Sequence, residues 1–133
     1  MKRTSILAAA VLVVGSGLTL GMAQAQQTGI GRTETLRHDL GTSGREVVQV
    51  RVDFAPGASF PKHTHPGDEI AYVLEGAMEY QLADKPPVTL KVGDALFIPA
   101  GTAHSAKNVG DVKASELATY LLDKGKPVLT LSK

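Results

Sequence analysis

The chain has 133 residues, with 14 Lys and Arg against 13 Asp and Glu, four histidines and no cysteine. The balanced charge, with no basic block and no aromatic-basic stripe, argues against nucleic acid as the partner. The lack of cysteine excludes a disulfide framework, and the length allows one small domain.

Residues 1–25 open with Lys2 and Arg3, run through an apolar stretch from Ile6 to Leu20, and close on Ala23-Gln24-Ala25. A charged start, an apolar middle and a small-x-small end predict a secretory signal peptide cut after Ala25, and hence an exported, periplasmic protein. The apolar run is short and broken by Gly15, Ser16, Gly17 and Gly21, so no stable membrane span is expected. Residues 26–32 are polar and Gly-containing and read as a flexible leader, leaving 33–133 as the folded domain.

In Glu46 to Phe54, Val48, Val50, Val52 and Phe54 alternate with Gln49, Arg51 and Asp53, the period of a half-buried strand. Glu69 to Leu74 and Ala77 to Leu82 predict two strands separated by Gly76. Val88 to Val92, Ala95 to Ile98, His104 to Lys107, Glu116 to Leu122 and Val128 to Leu131 predict five more. Turn residues lie between them, and no amphipathic helix is visible. Many short strands at near-regular spacing predict an all-β sandwich or barrel.

Three of the histidines fall in two turn-bounded segments. His63 and His65 are two apart in an extended stretch, so both point to one face with Cα atoms roughly 6.5 to 7 Å apart. Two imidazoles at that spacing can converge on one ion at about 2.1 Å. Pro66-Gly67 after them predicts a type II turn with positive φ at Gly67, which returns Glu69 beside the histidines. Pro99-Ala100-Gly101 predicts a second reversal, directly before His104. His38, beside Arg37 and Asp39, reads as a surface histidine.

Two longer patterns contain these residues. In the first, Gly57 is followed after five residues by His63-Thr64-His65, after three more by Glu69, and after six more by Gly76. In the second, Gly93 is followed after five residues by Pro99-Ala100-Gly101, after two by His104 and after three by Asn108. Both are similar to the two motifs of the cupin superfamily, with every spacing kept, and the short stretch between them resembles the small single-domain microbial cupins. The resemblance implies a double-stranded β-helix, a jelly-roll-like barrel, with one divalent transition metal per chain held by His63, His65, Glu69 and His104. Gly57, Gly76, Gly93, Pro99, Gly101 and Asn108 then mark its structural turns.

Three imidazoles and a carboxylate on a six-coordinate ion leave two positions open, which suits Fe, Mn, Ni or Cu better than a closed tetrahedral Zn site. The implied function is a mononuclear metal enzyme acting on a small oxygen-bearing molecule, dioxygenase-like by resemblance to cupins such as quercetin dioxygenase. A non-catalytic, metal-dependent small-ligand-binding protein is the alternative. Tyr72, Phe97 and Tyr120 are candidate substrate-lining residues. Ala71 and Val73 share the face of Glu69 by alternation, and Glu75, on that face beside a turn, reads as solvated. Cupins of this size commonly pair through barrel edges, so a homodimer is expected.

Overall fold

The computed structural model describes residues 27–132, so the expected signal peptide at 1–25 lies outside the described residues. Ten strands follow in chain order: β1 (Ile30–Asp39), β2 (Arg45–Phe54), β3 (Ser59–Thr64), β4 (Asp68–Glu75), β5 (Ala77–Leu82), β6 (Val88–Lys91), β7 (Ala95–Ile98), β8 (His104–Asn108), β9 (Ala114–Asp123) and β10 (Thr130–Leu131). They form two five-stranded sheets, ordered β1-β2-β9-β4-β7 and β10-β3-β8-β5-β6. Every pairing is antiparallel. The non-sequential order in each sheet is that of a double-stranded β-helix, the all-β class expected from the strand spacing. No helix among the described residues is long and apolar enough to cross a membrane.

Alternation decides which side chains enter the core. Along β2, Val48, Val50, Val52 and Phe54 are buried, and along β9 so are Glu116, Ala118, Tyr120 and Leu122. From the opposite sheet, Phe60 on β3, Met78 and Tyr80 on β5, Leu90 on β6 and Ala106 on β8 pack against them. On the outer face, Arg51, Asp53 and Glu75 form a network tied to the buried Ser115, with Arg51 donating to Glu75 at 2.9 Å. Glu75 is thus the solvated carboxylate expected of it, and His38 is exposed.

Two local expectations are corrected. Within the expected leader 26–32, β1 already begins at Ile30, whose side chain is buried against the core. The segment after His65 is not a type II turn with a left-handed glycine, since Gly67 does not have positive φ. Glycine is required there by close approach, because a Cβ would lie 1.9 Å from the Leu121 carbonyl oxygen. The turn glycines Gly57, Gly76, Gly93 and Gly101 do take positive φ, between 70° and 91°.

Candidate metal centre

β3 and β8 are neighbours, and their register sets His63 directly opposite His104. Their ring centroids are 4.2 Å apart. His65 follows the end of β3, with its ring 4.8 Å from that of His63 and 5.1 Å from that of His104. Glu69 comes from the other sheet, on β4, and pairs with Tyr120 of β9. The second motif's reversal is stitched to the first: the Gly101 amide donates to the His65 carbonyl at 2.9 Å, and the Ala100 amide to Asp68 Oδ1 at 3.0 Å. The two separate segments are therefore held in register by one backbone–backbone hydrogen bond and one from backbone to the Asp68 carboxylate. Asn108 fixes the far end of β8, donating to the carbonyls of Phe54, Ala55 and Val112 while accepting from the Gly110 amide.

All three imidazoles are oriented in the same way. His63 Nδ1 lies 2.8 Å from the Pro61 carbonyl, His104 Nδ1 lies 2.8 Å from the Thr102 carbonyl, and His65 Nδ1 faces the Val128 carbonyl. A carbonyl oxygen can only accept, so each Nδ1 carries the proton and each neutral ring turns an Nε2 lone pair inward. This arrangement of backbone acceptors behind inward-facing imidazoles is the one that supports histidine metal ligands.

The ligand-capable atoms of His63, His65 and His104 all lie within 4.8 Å of one another, and all three residues are buried. Glu69, also buried, sets its Oε2 3.0 Å from His65 Nε2 and 3.1 Å from His104 Nε2. Yet His65 Nε2 and Glu69 Oε2 have no hydrogen-bond partner. With the proton already on Nδ1, the His65–Glu69 contact brings two lone pairs together, and it becomes favourable only with a cation or a proton between them.

The electrostatics agree. Burial opposes charge on Glu69, but the close contacts with His104 and His65 outweigh it and hold the carboxyl down at about 2. Burial also opposes charge on His104, and the Glu69 contact reverses this, raising it above the ordinary histidine range. Burial first, then repulsion by His104, depress His63 to about 4. The cluster is thus a permanent anion facing imidazoles, a donor set that fits a divalent transition ion.

A cleft beside the cluster is lined by His63, Glu69 and His104 together with Tyr80, Glu116 and Tyr120, and the exposed Arg32 borders it. The cleft opens to solvent, and the empty space within it and its mouth is about 280 Å³. Tyr120 packs its ring 4.6 Å from that of His65. Tyr72 and Phe97 do not line this cleft, which corrects the expectation for them. They lie on the outer face, 42% and 56% exposed. Tyr72 falls between the inward Ala71 and Val73, and Phe97 pairs with the exposed Ile70.

Glu116 is a cleft residue that sequence reasoning missed, and the Tyr80 hydroxyl donates to it. Burial, then the Glu69 charge, push the Glu116 carboxyl up to about 7. Burial, then the adjacent Glu116, raise the Tyr80 hydroxyl and keep it protonated as a donor. A signal for Glu116 was present in β9, where it shares the alternation face of Tyr120.

The cupin domain family matches residues 50–120, more than half of the chain, and the chain belongs to that family. Germin-like protein subfamily 2 member 1 of Arabidopsis thaliana is 43% identical over 75 residues, 53% of this chain and 34% of that protein. Auxin-binding protein ABP19b of Prunus persica is 37% identical over 85 residues, 60% of this chain and 41% of that one. Among solved structures, a recombinant oxalate oxidase in complex with glycolate superposes with a TM-score of 0.65 at 26% identity, covering 80% of this chain and 57% of that one. The chain therefore spans well under half the length of these two curated relatives.

Proposed function

We propose that the protein is an exported, mononuclear metal enzyme in which His63, His65, Glu69 and His104 hold one divalent transition ion and a small oxygen-bearing molecule is the substrate. The observation that carries this is the convergence of Nε2 lone pairs on a buried carboxylate oxygen that has no hydrogen-bond partner. A bound ion of this kind supplies Lewis-acid polarisation of a substrate oxygen and, for a redox-active metal, a route to dioxygen chemistry. The chain's own residues do the rest. The Pro61, Thr102 and Val128 carbonyls fix the imidazoles, while Tyr120 and the apolar Phe54, Phe60 and Ala106 limit water and select a compact molecule. Likeness to an oxalate oxidase supports an oxidoreductase, and we extend the proposal to dioxygenase-like chemistry.

The test is to express the full chain, recover it from the periplasm and measure bound metals by elemental analysis. Oxygen uptake against small phenols, diketones and thiols follows. We expect about one metal per chain, lost in Glu69→Ala and His104→Ala along with any uptake. Failure to retain any transition ion overturns the reading, and mature protein that does not begin at Gln26 overturns export with a cleaved signal.

The narrow cleft and the auxin-binding relative favour a second reading, a metal-dependent protein that binds a small ligand without turning it over. Stoichiometric metal and ligand binding without uptake would decide for it. We further propose a homodimer, supported by Ile70, Tyr72 and Phe97 exposed together on the outer face of β4 and β7. Gel filtration should show a dimer, and Phe97→Lys should shift it to the monomer.

A further inference from the structure

Glu116 has no place in the ligand set, yet it is buried inside the barrel. It is 5% exposed, on the central strand β9. Its cross-strand neighbours are Val52 of β2 and Val73 of β4, so the sheet offers it no charge partner. Among the described residues its one hydrogen-bond donor is the Tyr80 hydroxyl, which reaches across from β5 in the opposite sheet to Oε2. No Lys, Arg or His nitrogen of the described residues forms an ion pair with it.

A carboxylate has room for about four hydrogen bonds, and burying one that is poorly satisfied costs several kcal/mol. Tying Tyr80 to the opposite sheet does not require a charge, because a neutral amide of the same shape would accept that hydroxyl equally well. What the carboxylate adds is a second acceptor oxygen in the cleft it shares with His63, Glu69 and His104.

We propose that Glu116, steadied by Tyr80, is the acceptor for a ligand hydroxyl, so that the site selects a small compound with a hydroxyl next to the oxygen that faces the imidazole cluster. Hydroxy-ketones and other compounds with adjacent hydroxyl and carbonyl oxygens are the ligand class. Only the placement of that second oxygen rests on the metal reading. The hydroxyl preference itself rests on Glu116. A site built to hydrogen-bond a hydroxyl discriminates strongly against the analogue that lacks it, because the buried polar group is then left unpaired.

The test uses two probes of nearly equal size, hydroxyacetone and methoxyacetone, and measures their affinities by ligand-observed saturation-transfer NMR. Metal content is determined by elemental analysis on the same samples. Wild type should favour hydroxyacetone by about tenfold or more. Glu116→Met removes both oxygens at similar volume and should bring the two affinities within about twofold. Glu116→Gln guards against misfolding of the first variant. Its carbonyl oxygen can keep the Tyr80 bond while its amide turns a donor toward the ligand, so the preference should vanish or reverse. Both variants should carry as much metal as wild type.

A wild type that binds both probes equally, or neither, overturns the assignment. So does a folded variant that keeps the wild-type preference, as it would if Glu116 served only to hold Tyr80. Protein that carries no metal but shows the Glu116-dependent preference supports the hydroxyl subsite while sinking the metal reading, so the two failures are distinguishable.

Discussion

Glu116 is held by burial, and then by the charge of Glu69, at about 7, well above the ordinary carboxylate value of 4.5. The folded state therefore binds its proton more tightly than the unfolded chain does. Between about 4.5 and 7 the native state carries more of this proton than the unfolded one, so its contribution to stability falls as pH rises through that window. Glu116→Gln has no such proton in either state. In chelator-treated protein, the variant should gain on wild type between pH 4.5 and 8 by of order 2–3 kcal/mol, read from urea unfolding at both pH values. Equal pH slopes would show that Glu116 is not shifted. The residue was legible in part, because alternation from Tyr120 places it inside. Reading carboxylates outward from Glu69 alone reached only Glu75, on a strand where the β-bulge between Val73 and Glu75 resets the parity. Tyr72 and Phe97 were misplaced for a related reason: aromatic character argued for the pocket, while the parity that puts Ala71 and Val73 inside already puts Tyr72 outside.

Among the elements, β2, β4, β5 and β9 were legible because one face of each is buried and hydropathy alternates along them. β1 was not, since all but its first two residues are exposed and an edge strand wet on both faces carries no alternation. The motifs made the ligand set legible, but not the element behind His65. The Val128 carbonyl that receives its Nδ1 proton precedes β10, whose two residues pair with Thr64 and His63. The Ser132 amide donates a hydrogen bond to the Lys62 carbonyl at 3.0 Å. This C-terminal segment packs behind the first motif and sets the orientation of a ligand without being one. Removing residues 128–133 should leave the barrel folded but less stable, because the buried core from Ile30 to Leu122 is kept while Val128 and Leu129, which pack against it, are lost. Metal affinity should fall about 10- to 100-fold, the usual effect of losing an outer hydrogen-bond partner of a ligating histidine. Competition against a chromophoric chelator measures it, and unchanged affinity would show that the Val128 carbonyl does not orient His65.

At the scale of the whole molecule, the four candidate ligands join what the chain otherwise keeps apart. His63 and His104 stand on one sheet and Glu69 on the other, while His65 lies in the connection between β3 and β4. The sheets meet through the apolar core, the Tyr80–Glu116 bond and the bond from Asn108 to the Phe54 carbonyl, and there is no cysteine to cross-link them. A small domain with this little to staple it gains disproportionately from an ion that bridges its layers. Ligand-free, the same four side chains are a liability, with a buried anion and an orphaned Nε2 that only a cation or a proton satisfies. Loading at about a thousand times the dissociation constant should stabilise the native state by about 4 kcal/mol. For a domain of roughly 100 residues that raises Tm by about 15 °C or more. Scanning calorimetry of metal-loaded and chelator-treated protein reads the shift. Glu69→Ala separates bridging from nonspecific binding, because it leaves the imidazoles in place but breaks the link to the second sheet. If the ion ties the sheets together, that variant should lose most of the metal-induced shift. If the three histidines hold the ion as a local cluster on one side of the barrel, Glu69→Ala should retain it.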